Sequence, residues 1–573
     1  MIITSDAWKK LIQSEDLLPE SNINLVSNND IEDTSQNWNI TSSDAEDISD
    51  KNVLLSSSGT INRNTTKIAT LEWNFWILDG TYKVPTEDTK MNGYVSKETS
   101  NADGLFENSV EIELTGNENV SKKLMTLKFA PDINEYATSC SVVNGANLEE
   151  TTSNMFDEPE EYHYANVSET STKNLTLLIH EWSMPYRKVR INELLLGARL
   201  FFDKSMLSSF KHQRTGDMVN AELPQNDCTF NVLDINNEYD IDNTNAKFAK
   251  MISADTTFNL YYGYKIDNSW EYHLVDCFYL ETFERPKNGI EAKFTLESNL
   301  NRKNQTFNSN ENVVFYTYGG LIDKISNKMG VRISRVGGNY ATTYKALLYL
   351  GLRQALGKDF FTIPMNEWLQ QVACVINGYI FRTSNGLFEV RGITNKLGEI
   401  INTTTIDSVP LLNCFNYPEI ESVNLLSRIV LTTTPINSEQ QNNPDSETNI
   451  EVGGETLTFP PYRFRGSGHE GGTELTAQNK IIVFGSAGTN ENNFTVDDEL
   501  HKSYLQWLFS FLSASKKIKT NMRINPAWQI GDLIEIEQKN GTFIKGFIVD
   551  INIEYAGYPK GNLTILSPYQ FNN

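Results

Sequence analysis

Over much of this chain apolar and polar residues alternate with a period of two, the signature of half-buried strands. Val110-Glu111-Ile112-Glu113-Leu114 alternates strictly, and 124–130, 138–143 and 175–182 read as further strands. Ahead of them Leu71–Leu78 is densely apolar and ends at the turn pair Asp79-Gly80. Short strands between polar turns predict a β-sandwich over 66–190, with 189–202 as its closing strand or the bridge onward. A second strand-rich block, 191–300, reads as a β-barrel domain. Its strands lie within 228–240, 256–265 and 272–298, with a hairpin turn at Pro286-Lys287-Asn288-Gly289.

The period lengthens to that of a helix in few places. Residues 4–19 predict a short helix, capped by Ser5 or Asp6, with Trp8, Leu11 and Ile12 on one side. Residues 20–65 are too polar to offset their ordering entropy, so 1–65 is expected to be a helix and a flexible arm. In 301–415 helices are predicted at 320–330, stopped by Gly330, at 343–357, and at 365–378, just after Pro364. The third runs into a hairpin, 379–393, around Ser384-Asn385-Gly386, which makes this stretch an α+β module. The last part, 416–573, reads as a second β domain. It carries a polar, structureless insertion at 434–455, an amphipathic helix at 500–517, and a meander over 522–567 that turns at Asn540-Gly541. The fold class is therefore mainly β with an α+β module: an N-terminal β-sandwich, then barrel-like β domains and a few amphipathic helices.

Charge narrows the partners. Against 49 basic residues stand 73 acidic ones, a net charge of −24. Phosphate binding needs clustered Lys and Arg, so neither stable nucleic-acid binding nor docking on anionic lipid is expected. The five cysteines, Cys140, Cys228, Cys277, Cys374 and Cys414, are scattered and form no CxxC. Neither a disulfide framework nor zinc fits them, and Cys228, Cys277 and Cys374 read as buried thiols from a reducing cytoplasm. Met1–Ile3 passes directly into polar sequence, so no leader is expected, and no apolar run is long enough for a membrane span.

No motif of catalysis emerges. His163, His180, His212, His273, His469 and His501 form no HxH or HExxH. The stretch 234–245 is rich in Asp and Asn but lacks the glycine and flanking helices of a calcium loop. Asp157, Glu158, Glu160 and Glu161 are a solvated acidic run rather than two carboxylates across a cleft. The segment 463–472, with Arg463, Arg465, Gly466, Gly468, His469, Gly471 and Gly472, follows Pro460-Pro461 rather than a strand, and reads as a flexible loop rather than a phosphate nest. Trp73, Phe75, Trp76 and Tyr82 form an aromatic cluster. As a strand it puts Trp73 and Phe75 on one face and Trp76 on the other, one face facing the core and the other left for a subunit or a glycan. No catalytic, cofactor-binding or metal residue is assigned.

Three stretches carry a family resemblance. They are 366–393 (NEWLQQVACVINGYIFRTSNGLFEVRGI), 500–512 with 525–537 (LHKSYLQWLFSFL, NPAWQIGDLIEIE), and 230–251 with the strands that follow it. In order and spacing they resemble the central hub of phage tails. That family includes baseplate hubs of contractile tails and the N-terminal domain of the tail-associated lysins of siphophages. The third stretch and the segment 69–84 are similar to hub-like proteins of low-GC Gram-positive prophages, which carry a β-sandwich ahead of the hub. The sequence departs from tail lysins in showing no peptidase or muramidase domain after the hub. The insertion 434–455 has no counterpart there.

The resemblance implies a non-enzymatic virion protein of the tail tip or baseplate, assembled in the host cytoplasm. It implies a homotrimer that joins the tail tube or distal tail protein to fibre or receptor-binding proteins. The acidic balance suits a lumen that does not retain DNA. Two other readings stay open: a cell-wall glycan-binding adhesin of the tail tip, with the sandwich as binding module, and an unusual tail hydrolase.

Overall fold

The structure is a computed structural model. It describes most of the chain; its longer undescribed stretches are 14–19, 29–37, 51–66, 153–161, 240–247, 338–355, 434–441 and 480–503. The protein is mainly β. The predicted helix at 343–357 and the acidic run 157–161 fall largely or wholly outside the described residues.

A two-sheet sandwich forms first. One sheet orders the strands Tyr94–Thr99, Lys188–Leu196, Leu124–Phe129 and His163–Asn166. The other orders Trp38–Thr41, Leu105–Val120, Thr172–Trp182, Ala137–Asn144 and Glu149–Thr152. Alternation places Ile112, Leu114, Leu177 and Ile179 between the sheets, against Leu127 and Ile191.

Beyond it lies one sheet of thirteen strands. Its path runs Phe201–Asp203, Ser21–Asn28, Thr257–Ile266, Ser269–Glu284, Glu291–Glu297, Gln225–Leu233, Leu207–Thr215, Phe543–Tyr555, Pro559–Ser567, Lys516–Arg523, Glu419–Ser422. The blocks 191–300 and 516–567, separated by more than 200 residues of chain, are therefore hydrogen-bonded into a single surface. They meet where Lys211–Thr215 pairs antiparallel with Asp550–Glu554. Rings fill the core of the first half: Phe202, Phe230, Phe258 and Phe294 pack with centroids 4.8–6.5 Å apart. Phe258, Leu260, Tyr262 and Tyr264 all point into that core, as their common parity requires.

The α+β module packs on the same core. Helix α1 (Asp6–Gln13) buries Trp8 and Ile12, and its Trp8 amide donates to Ser5 Oγ at 3.0 Å, the cap expected of Ser5. Helix α2 (Tyr318–Met329) is capped by Thr317 Oγ1 and stopped by Gly330 at φ +60°, and buries Leu321, Ile322, Ile325 and Met329. Helix α3 (Met365–Val375) follows Pro364 and buries Trp368, Leu369, Val372 and Val375. Its sheet is Ile333–Val336, Phe388–Gly392 and Gly378–Arg382.

Five expectations are corrected. Residues 20–65 are not simply an arm: Ser21–Asn28 pairs along its whole length with Thr257–Tyr264, and Trp38–Thr41 joins the sandwich. Ile23 and Leu25 are fully buried, so the few apolar residues in this polar stretch sit at strand spacing. Leu71–Leu78 is not a strand but a series of turns, bent by positive φ at Asn74 (+54°) and Gly80 (+84°). The insertion contains a hairpin, Thr448–Val452 with Glu455–Phe459. Arg463–Ser467 is a strand paired with Arg428–Thr432 rather than loop, while 468–472 lies outside the described residues. Helix is assigned at 504–509, and by Lys516 the chain is already strand, so the helix does not reach 517.

Candidate functional site

The large sheet carries charge where its alternation demands apolar residues. Asp276 lies between Val275 and Cys277 in the strand Ser269–Glu284, yet its side chain is 1% exposed. Arg382, from the hairpin of the α+β module, pairs with Asp276 Oδ1 and donates to the Cys277 carbonyl. Asn226 donates to Asp276 Oδ2 at 2.8 Å. His212 Nε2 stands 3.5 Å from the same oxygen. One turn of strand away, Arg214 donates to the carbonyls of Trp528 (2.7 Å) and Pro526 (3.2 Å). Five segments thus converge on one buried joint between the two halves of the sheet and the module. Burial alone would raise the Asp276 carboxyl, but the Arg382 guanidinium and His212 outweigh it and hold it below the usual carboxylate range. Burial pushes His212 down to about 4, so it is neutral near pH 7. Sequence reading missed this joint because its members are up to 316 residues apart, from His212 to Trp528. The legible trace is a lone Asp inside Leu274–Phe278.

The histidines do not converge. His163 is buried and stacked on Tyr136 at 5.4 Å. His273 Nε2 lies 2.6 Å from Glu271 Oε1, against the edge of Trp8. His469 and His501 fall outside the described residues. His180 sits on the outer face of the five-stranded sheet, with Ser109 Oγ 2.7 Å from Nδ1 and Ser141 Oγ 2.6 Å from Nε2. A serine beside a histidine invites comparison with acyl transfer, which also needs amide donors aimed at a developing oxyanion. The His180 strand is paired on both sides, and both ladders shift register at His180, between Leu105 and Val110 on one side and between Ser139 and Cys140 on the other. Among the described residues no three His, Cys, Asp or Glu side chains gather as a metal site. The cysteines are free; Cys140, Cys228 and Cys374 are buried, whereas Cys277 is half-buried.

The aromatic cluster is built as an outward-facing tip of the sandwich. Glu72 turns inward to Arg190, whose Nη1 donates to Glu72 Oε1 at 2.8 Å, and Arg187 bonds Glu135 and the carbonyls of Trp73 and Asn74. Trp76 Nε1 donates to the Thr70 carbonyl, and Phe75 lies under Arg190. With its polar root clamped, the loop leaves Leu71, Trp73, Ile77 and Leu78 exposed. Trp73 and Tyr186 face each other at 6.3 Å, and Tyr186 takes an αL conformation (φ +58°) that a bulky residue rarely adopts. The expected core face is absent: Phe75 and Trp76 are half-buried and Trp73 is out in solvent.

Three strands of the large sheet are paired along one edge among the described residues: Phe201–Asp203 and Glu419–Ser422 at the ends of its path, and Asp407–Val409 on a branch through Leu533–Glu537. Leu412, Phe415, Tyr417 and Ile420 are exposed around the second. Beside the first lies a cleft of about 250 Å³ lined by Tyr162, Tyr164, Leu200, Phe201, Met206 and Tyr239.

No protein-family profile and no curated protein sequence matches the chain. Solved structures similar to it include the 43 kDa tail protein of prophage MuSo2 from Shewanella oneidensis. That match has 9% identity and a TM-score of 0.38, covering 64% of this chain and 94% of that one. A tail protein from Neisseria meningitidis MC58 matches with 9% identity and a TM-score of 0.37, covering 63% and 92%. Prophage tail protein gp18 from Listeria monocytogenes matches with 8% identity and a TM-score of 0.33, covering 64% and 91%.

Proposed function

We propose that the chain is a non-enzymatic structural protein of a phage-type tail, the hub at its tip. In this reading three copies close around an axis, accept the tail tube or distal tail protein on one side, and hold fibre or receptor-binding proteins on the other. One observation carries it: two β blocks distant in sequence are fused into one sheet that is open at both ends. An unpaired strand edge is a template for another strand. The two ends are different surfaces, so a contact between them is heterologous, and heterologous contacts form a ring where their rotation closes and an open filament where it does not. The resemblance to phage-tail hubs, carried by 366–393, 500–512 with 525–537, and 230–251, supplies the number three. The strand Ser21–Asn28 lies inside the sheet, so the test needs the full chain. Mass photometry over a dilution series is expected to find a closed trimer. A monomer at every concentration, or a two-fold or six-membered particle, would reject the geometry.

A second reading, a wall-glycan adhesin, is favoured by the exposed Trp73–Tyr186 pair, since aromatic rings stack on sugar faces. Under it, Trp73→Ala abolishes sedimentation of the protein with host cell walls and leaves the melting temperature unchanged. Retention of wall binding by that variant, or no wall binding by the parent protein, excludes this site.

A further inference from the structure

The buried joint contains polar atoms that the protein itself does not satisfy. Arg214 Nε, Arg382 Nε and Asn226 Oδ1 are each fully buried and have no protein hydrogen-bond partner. Their residues are 3%, 5% and 4% exposed. Buried polar groups are nearly always paired, and leaving one unpaired is costly. Three such atoms in one neighbourhood is therefore a pattern to explain. All three residues line the same small cavity, together with Asp276, Gln529 and Val275. Its volume is about 10 Å³, close to the minimum room for one water molecule.

The atom types decide the occupant. The two guanidinium Nε–H groups are donors and Asn226 Oδ1 is an acceptor, so the site offers both signs of hydrogen bond. Water can accept two and donate two. An anion would meet the Asn226 oxygen and the Asp276 carboxylate, and a cation would meet two guanidinium groups. Neither suits the lining as a whole.

We propose that a single ordered water molecule is built into this joint, accepting from Arg214 and Arg382 and donating to Asn226. It bridges two parts of the chain, the strands of the first block that carry Arg214 and Asn226 and the hairpin of the α+β module that carries Arg382, beside the turn at 526–530 to which Arg214 is bonded. The site is independent of the hub proposal. It makes the angle between module and sheet depend on a solvent molecule as well as on side-chain packing.

Two measurements test this. A crystal structure of the full chain, at a resolution that shows ordered solvent, is expected to place one peak within hydrogen-bond distance of the three atoms. The cavity-filling change Val275→Ile then discriminates. If it displaces a water it strands two guanidinium donors, and the melting temperature falls. If the cavity were dry, the added methyl would fill it and the melting temperature would hold or rise. The proposal is overturned by absence of the peak, by an anomalous bromide signal at that position after a soak, or by a Val275→Ile protein at least as stable as the parent. If Val275→Ile fails to fold, the peak in the parent crystal decides alone.

Discussion

Removing residues 1–28 is expected to destroy the folded state of the first half of the large sheet. Ser21–Asn28 lies between Phe201–Asp203 and Thr257–Ile266 and bonds to both. Trp8, Ile12, Ile23 and Leu25 are buried in the main core, and Trp8 packs edge-on against Tyr264 at 4.6 Å. Burying one such side chain is worth roughly 1.5–3 kcal/mol, so four contribute on the order of 6–12 kcal/mol. That rivals the whole stability of an ordinary domain, about 5–15 kcal/mol. The truncated chain should be insoluble, or should lose protease resistance across 200–300 while the sandwich survives. In the intact chain, protease should not cut first within 21–28. Recovery of a soluble, resistant truncation would show that the strand only decorates the edge.

This strand marks where sequence reading stops. Alternation located Leu105–Val120, Thr172–Trp182 and Thr257–Ile266 because each carries several apolar residues of one parity. The cap of α1 and the stop of α2 were legible because Ser5 and Gly330 act within one turn of their own backbone. Ser21–Asn28 has three apolar residues in eight, and its stability comes from a partner over 230 residues away. Local composition contains no trace of that pairing. The tip at 71–84 failed in the opposite direction. Its hydrophobicity was read as burial, but Glu72 and the turn at Asn74 are fixed by Arg187 and Arg190, which lie more than a hundred residues downstream. For the same reason the joint around Asp276 was invisible. Pairing of distant charges leaves no periodicity, only an anomaly in the strand that carries each one.

Asp276→Ala is expected to cost about 3–5 kcal/mol at neutral pH, the range for removing one partner of a buried ion pair. The loss is not that of one contact. Arg382 keeps its charge in a buried site, Asn226 loses its acceptor, and His212 loses the neighbour at 3.5 Å. The midpoint of urea denaturation reports it. A double change, Asp276→Leu with Arg382→Met, removes both charges and should be less destabilised than Asp276→Ala. Replacing a buried pair by apolar side chains is often tolerated, whereas orphaning one charge is not. If the single change proved no worse than the double, the pair would not be electrostatically coupled. The same site predicts the response to acid. The folded-state pKa values of both Asp276 and His212 lie below their ordinary values. In each case the unfolded chain takes up its proton first as pH falls, so stability is present above the unfolded value and lost toward the folded one. For His212 that window runs from about 6.5 down to about 4. His212→Gln, which cannot be protonated there, should flatten the fall in denaturation midpoint between those pH values. It should leave the steeper carboxylate-driven loss at lower pH in place. An unchanged slope in His212→Gln would mean that the histidine is solvated in the folded protein, and that the joint is looser than its geometry shows.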